Sequence, residues 1–472
     1  MGDAIGSDSI DIWLASERFI FDHEVDAPPQ GVELLQGIDI EDEAFEDWLR
    51  EQRQLNSRSY NSARDDEDIP ASTVSFVQRS PREFVGRHHR KHCTVIFDTS
   101  AKGDLDADVA AMFFSEQLHR SLDQYDVFSC VSHSHNNTDG RNGQTPIDRL
   151  AVIVRINAFA YGNEVCIGVA LDSGAQGRRL DFKSAIVSPG ISQLRSSIKI
   201  GGLVRHTVET LLDNLEFEAL PAGATAEALM LANQARKLTF KLDKQSLLIA
   251  EDLLSRAYEL DPRGQYIAWR GFLRNTAFFQ HRDANIFEEA YASDVLTLEA
   301  LHQAPNNAIV QAFSSQIDYI NQGNLAEPMH KAERAVALDP TDPLARALLS
   351  NALIVNGHLN EGYEVALQAI VLSSGGRYEF YFHHFACMAA TAAHNYETAL
   401  SHARASTNSM PHFVSPRRYE VALANHLGDQ QGVDHAVGAM RLVEPEFELQ
   451  SLLDPTYPVN TLRRLPIIET VQ

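Results

Sequence analysis

Few residues of this 472-residue chain could carry chemistry, and their spacing suits it poorly. The best metal-ligating grouping is His133, Ser134 and His135, close behind Cys130. A lone loop pair without a second, separated pair does not make a tetrahedral site. The run Gly86–Cys93 reads GRHHRKHC and has the same defect, with adjacent histidines in a basic stretch that water solvates readily. His383 and His384 are neighbours on a helical stretch and cannot share one face. One is expected packed and the other exposed. The four cysteines, Cys93, Cys130, Cys166 and Cys387, lie far apart without a CxxC, so no disulfide framework is indicated. No phosphate-cradling glycine loop, HExxH helix, GxSxG elbow or cyclase-type pair of metal carboxylates occurs. The sequence therefore offers no catalytic residue, metal site or cofactor site, and the chain is expected to be non-enzymatic.

Charge narrows the partners. The formal net charge is -24, with 64 acidic against 40 basic side chains. Met1 to Pro70 alone holds 19 acidic and 5 basic residues. Such a surface repels phosphate backbones and anionic headgroups, so neither direct nucleic-acid binding nor membrane association is expected. No signal peptide or long apolar span is legible, and the scattered cysteines favour a reducing compartment, so the expected location is cytoplasmic.

The elements that must position any site follow from periodicity. In residues 1–53, Asp39 or Asp42 can cap a short helix with Phe45, Trp48 and Leu49 on one side. Residues 54–92 lack an apolar period and read as a linker, acidic at Asp65–Asp68 and basic thereafter. Residues 93–217 read as α/β. A strand runs over Cys93–Phe97, then a helix capped by Asp104 or Asp106 with Val109, Met112, Phe113, Leu118 and Leu122 on its face. A second strand spans Asp126–Ser132 and a polar loop His133–Thr145. Leu150–Phe159 and Glu164–Leu171 form a hairpin around Ala160–Asn163, Arg179–Val187 extends it, and a helix over Ile191–Leu215 closes the domain.

Two resemblances attach to these segments. Leu34–Ile40, with Glu43–Arg50 and Arg53, resembles the signature of the bacterial transcriptional activator domain found in the SARP family and its proteobacterial relatives. There the helical domain follows a DNA-binding winged helix, and about 30 residues before the motif are too few for one. The order of strands and helices over 93–217 resembles the TolB amino-terminal-like domain, which implies a structural or sensory insert with no catalytic residues to carry over.

The strongest period lies in residues 222–460. Pro262, Pro305, Pro340, Pro411 and Pro445 end the phrases YELDP, HQAP, VALDP, NSMP and LVEP at spacings of 43, 35, 71 and 34. The gap of 71 divides at Ser374. Within the period, Gly323, Leu325 and Ala335 recur as Gly357, Leu359 and Ala369, with Ser350 and Gly362 alongside, and Tyr396 and Ala399 continue the pattern. Small residues let paired helices approach, and the turn between them favours positive φ. This resembles the tetratricopeptide (TPR) repeat and implies about six helical hairpins wound into a superhelix. The fold class is thus multidomain α+β, an α/β layer followed by an all-α array.

In that family the first helix of each hairpin lines the concave face. The resemblance then implies a groove for a protein or peptide partner bearing Phe313, Asn321, Asn351, Tyr381, His384, Arg418 and Asn425. The expected function is regulation of transcription through protein binding, with homo-oligomerisation as a further possibility. The alternatives are the effector portion of a DNA-binding activator, or a cyclase-associated subunit.

Overall fold

The computed structural model describes residues 5–7, 12–14, 93–101, 105–125, 127–133, 152–174, 177–214, 224–281, 293–320, 326–465 and 467–468. The expected helix at Phe45, Trp48 and Leu49, the linker 54–92, His135, Gly323 and Leu325 lie outside them. The chain divides into two compact units, Met1–Gly86 and Arg87–Gln472. In the first, β1 (Ile5–Ser7) pairs antiparallel with β2 (Ile12–Leu14), placing Gly6 opposite Trp13.

The second unit begins with a five-stranded sheet of order β4-β3-β5-β6-β7. β3 (Cys93–Ala101) feeds α1 (Leu105–Asp123), which returns the chain to β4 (Phe128–His133) parallel to β3. β5 (Val152–Tyr161) also runs parallel to β3, and β6 (Glu164–Ser173) and β7 (Arg179–Val187) add an antiparallel meander. Gly162, with φ of 62°, sits in the tight turn between β5 and β6, where an L side chain would strain the backbone.

Alternation decides the sheet's faces. Val154, Ile156, Ile167, Val169 and Leu171 point to one face and are buried beneath α1 and α3 (Ile198–Asn214). The opposite face carries no helix among the described residues, and Phe159 and Ile186, beside Cys166, form a partly exposed row across it.

Two expectations change in this layer. On α1 the buried face is Ala107, Ala110, Ala111, Phe114, Leu118 and Leu122, while Met112 is exposed. Three alanines let the helix lie close on the sheet, and close approach outweighs the bulk that Met112 would bury. The single helix expected over Ile191–Leu215 is two, α2 (Ile191–Arg195) and α3. Ser196 turns its amide and hydroxyl back onto the Ser192 carbonyl, and the Ser197 hydroxyl accepts from the Ile200 amide, starting the second helix afresh.

Six antiparallel hairpins follow. They pair α4 (Ala224–Thr239) with α5 (Lys244–Leu260), α6 (Gly264–Gln280) with α7 (Ser293–Gln303), and α8 (Ala308–Ile320) with α9 (Ala326–Leu338). Then come α10 (Pro343–Val355) with α11 (Leu359–Ser373), α12 (Glu379–Ala392) with α13 (Tyr396–Ser409), and α14 (Val414–His426) with α15 (Gln430–Arg441). Every second helix ends just before one of the five phrase prolines or Ser374.

The fourth hairpin shows why the small residues recur. Gly357 takes a φ of 86° in its turn, and a Cβ on Gly362 would lie 2.8 Å from Ile354 and 3.1 Å from the Ser350 carbonyl. In the fifth hairpin His394 holds the same left-handed conformation, φ 61°, and its ring bonds the Tyr396 hydroxyl at 2.7 Å.

The layer and the array belong to the same compact unit and share a joint. α3 crosses α11 at Gly201 and Gly202, where added Cβ atoms would meet Leu372 at 2.9 Å and the Val371 carbonyl at 3.2 Å. Beside this crossing, the loop before α10 is bound to the layer through its aspartates. Asp342 caps α10 by accepting from the Leu344 and Ala345 amides and, with its other oxygen, accepts from Arg205 of α3 at 3.0 Å. Asp339 accepts from the Ser121 hydroxyl of α1 at 2.8 Å. All three charged groups are buried. No helix among the described residues is long and apolar enough to cross a membrane.

Candidate functional site

The hollow of the array is built by first helices. α12 reads EFYFHHFACMAATA, and Tyr381, His384, Phe385 and Met388 recur at i, i+3, i+4 and i+7 on one face. That face borders a cavity of about 130 Å³. Asn275, Thr276, Phe279 and Gln280 of α6, Gln316 and Tyr319 of α8, and Asn351 of α10 complete its walls. Phe413, Ser415 and Tyr419 close it from the last hairpin.

The curvature is tight enough for α6 to touch α14. Gln280 donates its side-chain amide to the His412 carbonyl and accepts from the Val414 amide at 3.1 Å. Arg418 donates to the Phe279 carbonyl at 2.8 Å, one of the carbonyls that a helix C-terminus leaves without an internal partner. Its other nitrogens reach Glu444 at 2.6 Å and the Tyr457 hydroxyl at 3.2 Å. Arg418 is 1% exposed. One guanidinium therefore fastens the second hairpin, the end of the sixth and the C-terminal segment together.

That segment, with a 3-10 turn at Leu449–Leu453 and α16 at Asn460–Arg463, covers the last hairpin with Tyr457, Val459, Leu462, Ile467 and Ile468. It also reaches the hollow, where Pro458, Val459, Thr461 and Arg464 form the cavity's remaining wall. The C-terminal segment thus narrows this part of the concave surface to a pocket that stays open at the Arg464 rim.

Of the seven groove positions expected from sequence, the pocket brings together Asn351, Tyr381 and His384. Phe313 is fully buried, stacked on Phe272 with centroids 4.2 Å apart and planes 11° from parallel. Arg418 serves as the clamp described above. Asn425 is on α14 but not on the lining, and Asn321 lies outside the described residues. The missed residues include Gln280, Gln316, Tyr319, Phe385, Phe413, Tyr419 and the C-terminal wall. Gln280 and Gln316 are neutral amides in helical runs, and nothing local tells a hollow-facing amide from a solvated one.

The lining is aromatic and amide-rich, and no carboxylate borders it among the described residues. His384 is T-shaped against Phe413 and Tyr419, with centroids 5.2 and 5.5 Å away. Burial, reinforced by the nearby Arg418 cation, lowers its pKa to about 3, so its imidazole is neutral. His384 Nδ1 and Gln316 Oε1, both shielded from water, have no hydrogen-bond partner among the described residues. Each such atom costs roughly 1–3 kcal/mol until a partner reaches it. Arg464 stands at the rim, its guanidinium 5.8 Å from the Tyr319 ring centroid. Burial raises the Cys387 thiol well above the ordinary range, which leaves it un-ionised. The pocket can bind by stacking and hydrogen bonding. No group of three or more metal-ligating side chains occurs among the described residues. A second cavity, of about 50 Å³, lies at the joint between Tyr125, Arg236, Trp269 and Asp339.

The histidines give the molecule an acid response. His383 Nδ1 faces His402 Nδ1 at 3.1 Å on the other side of α12. Burial lowers the pKa of His383, and burial with the neighbouring His383 lowers that of His402 to about 4. Folded-state values below the unfolded value near 6.5 mean that stability is complete above about pH 6.5 and falls as pH drops towards the folded values. For the buried His384 the expected slope is about 1.4 kcal/mol per pH unit. Urea midpoints measured between neutral and mildly acidic pH should show this decline, and His384→Asn should flatten it.

No protein-family model matches the chain. No curated protein matches it either. Among solved structures it is similar to the C-terminal part of a TPR repeat-containing protein from Cytophaga hutchinsonii. That likeness has a TM-score of 0.26 and 10% identity and covers 53% of this chain and 95% of the other. It is also similar to yeast Tom70, with a TM-score of 0.29 and 14% identity over 60% of this chain; the match spans 61% of Tom70. The TPR-like architecture is carried by this chain's own six hairpins, their turn residues and their proline-ended second helices.

Proposed function

We propose that this chain is a non-enzymatic regulatory protein, associated with transcription, that acts by holding a protein partner on its helical array. The observation that carries the reading is the array itself. Its first helices are spent on the core and the hollow, while its second helices keep an exposed face along all six hairpins. A surface of repeated, rigid helices suits protein recognition. The resemblance of Leu34–Arg53 to the bacterial transcriptional activator domain supports a role in gene control, and the -24 net charge favours a protein over a nucleic acid as partner. In this reading the α/β layer is a TolB-like insert that braces the array through Arg205 and Asp342.

The test is affinity capture from native extract with the full chain as bait, followed by reconstitution from purified components. A defined partner binding with Kd of about 1 μM or tighter is the expected result. Purified chain that retains no defined protein, or that turns over nucleotides, overturns the reading.

A further inference from the structure

We infer that the cavity in the hollow is a binding site for a small aromatic carboxylate bearing a hydroxyl or amino donor. This inference does not depend on the partner proposed above. Size sets the first limit: about 130 Å³ is close to the ~150 Å³ that accommodates one benzene ring in an apolar core. Lining chemistry sets the second. Tyr381, Phe385, Phe413 and Tyr419 offer ring faces and edges to a planar body.

Charge sets the third. In a chain with 64 acidic side chains this lining has none among the described residues, and the ionic group that these residues place on it is the Arg464 guanidinium at the rim. A guanidinium matches a carboxylate in geometry and charge. The fourth limit is hydrogen bonding. His384, 8% exposed and held neutral, and Gln316 both line the cavity; Gln316 Oε1 is an unpartnered acceptor, and the unpartnered His384 Nδ1 accepts when Nε2 holds the proton. An O–H or N–H on the ring edge remote from the carboxylate supplies the donor they lack. Met388, also on the lining, is unbranched and can repack to admit it.

The probe is 4-hydroxybenzoate, with phenol lacking the carboxylate and benzoate lacking the donor, each titrated into the full chain by calorimetry and ligand-observed NMR. The expected result is saturable 1:1 binding of 4-hydroxybenzoate with Kd of about 1 mM or tighter. It should bind about tenfold more tightly than either phenol or benzoate. Arg464→Gln, at an exposed position, should remove the advantage over phenol while leaving the advantage over benzoate. Gln316→Leu should reduce the advantage over benzoate and leave that over phenol. An absence of saturable binding overturns the proposal, as does a ligand ranking unchanged by both substitutions, which would place the ligand elsewhere on the protein.

Discussion

Arg418→Met is expected to destabilise the second unit by about 3–5 kcal/mol, because it leaves a largely buried carboxylate without its cation. Glu444 would keep only the Tyr457 hydroxyl, and the Phe279 carbonyl would lose its donor. Arg418→Lys should fall between the two, since one ammonium cannot fork to Phe279, Glu444 and Tyr457 at once. Glu444→Gln in the Arg418→Met background should recover part of the loss, because the uncompensated charge is then gone. Urea unfolding of the parent, Arg418→Met, Glu444→Gln and the double variant measures the cycle. A second readout is the His384 imidazole: Arg418 is the second cause of its lowered pKa, after burial, so the NMR titration of His384 should move upward in the variant. A loss below about 1 kcal/mol would show that other contacts close the ring.

Arg205→Met should have a comparable effect, about 3–5 kcal/mol at neutral pH, with a distinctive pH dependence. It would leave Asp339 and Asp342 buried together with their cation removed. Burial and then Asp342 already raise the Asp339 pKa, and Arg205 opposes both. Removing Arg205 raises it further. A carboxyl group whose folded pKa exceeds the unfolded value of 3.8 adds stability below that value and loses it as pH rises through the folded one. The penalty of the variant should therefore shrink as the medium is acidified from neutral towards pH 4. The histidines pull the other way in parent and variant alike, so the difference between the two chains isolates the aspartates. Asp342→Asn in the variant should weaken the dependence and Asp339→Asn should remove most of it, because burial, the larger cause, acts on Asp339 itself; persistence in the Asp339→Asn chain would sink the assignment.

The same joint shows what a linear reading can reach. The phrase VALDP was legible as a repeat boundary because Asp339 and Pro340 stop a helix, and that requires only local backbone chemistry. Its second use, together with Asp342 just beyond it, as a dock for Ser121 and Arg205 was not legible, since Ser121 lies 218 residues from Asp339 and Arg205 lies 137 from Asp342. The hairpin β5–β6 and the strand β7 were readable from alternation, whereas the orientation of α1 was not. Its alanines acquire meaning only against a sheet. His384 illustrates the site. Its place on a first helix and the divergence from His383 follow from helical geometry, but its neutrality and unpartnered nitrogen depend on walls from four other hairpins and the C-terminal segment.

Periodic proline stops, turn residues with positive φ and small residues at helix crossings were sufficient to determine that residues after 222 form hairpins and in which order. Each of these signals acts over fewer than ten residues. Whether the hairpins leave an open trough or enclose a pocket was decided only by tertiary structure. The rotation between successive hairpins accumulates until Phe279 meets Arg418, and a sum of small angles leaves no mark at any one position in the chain.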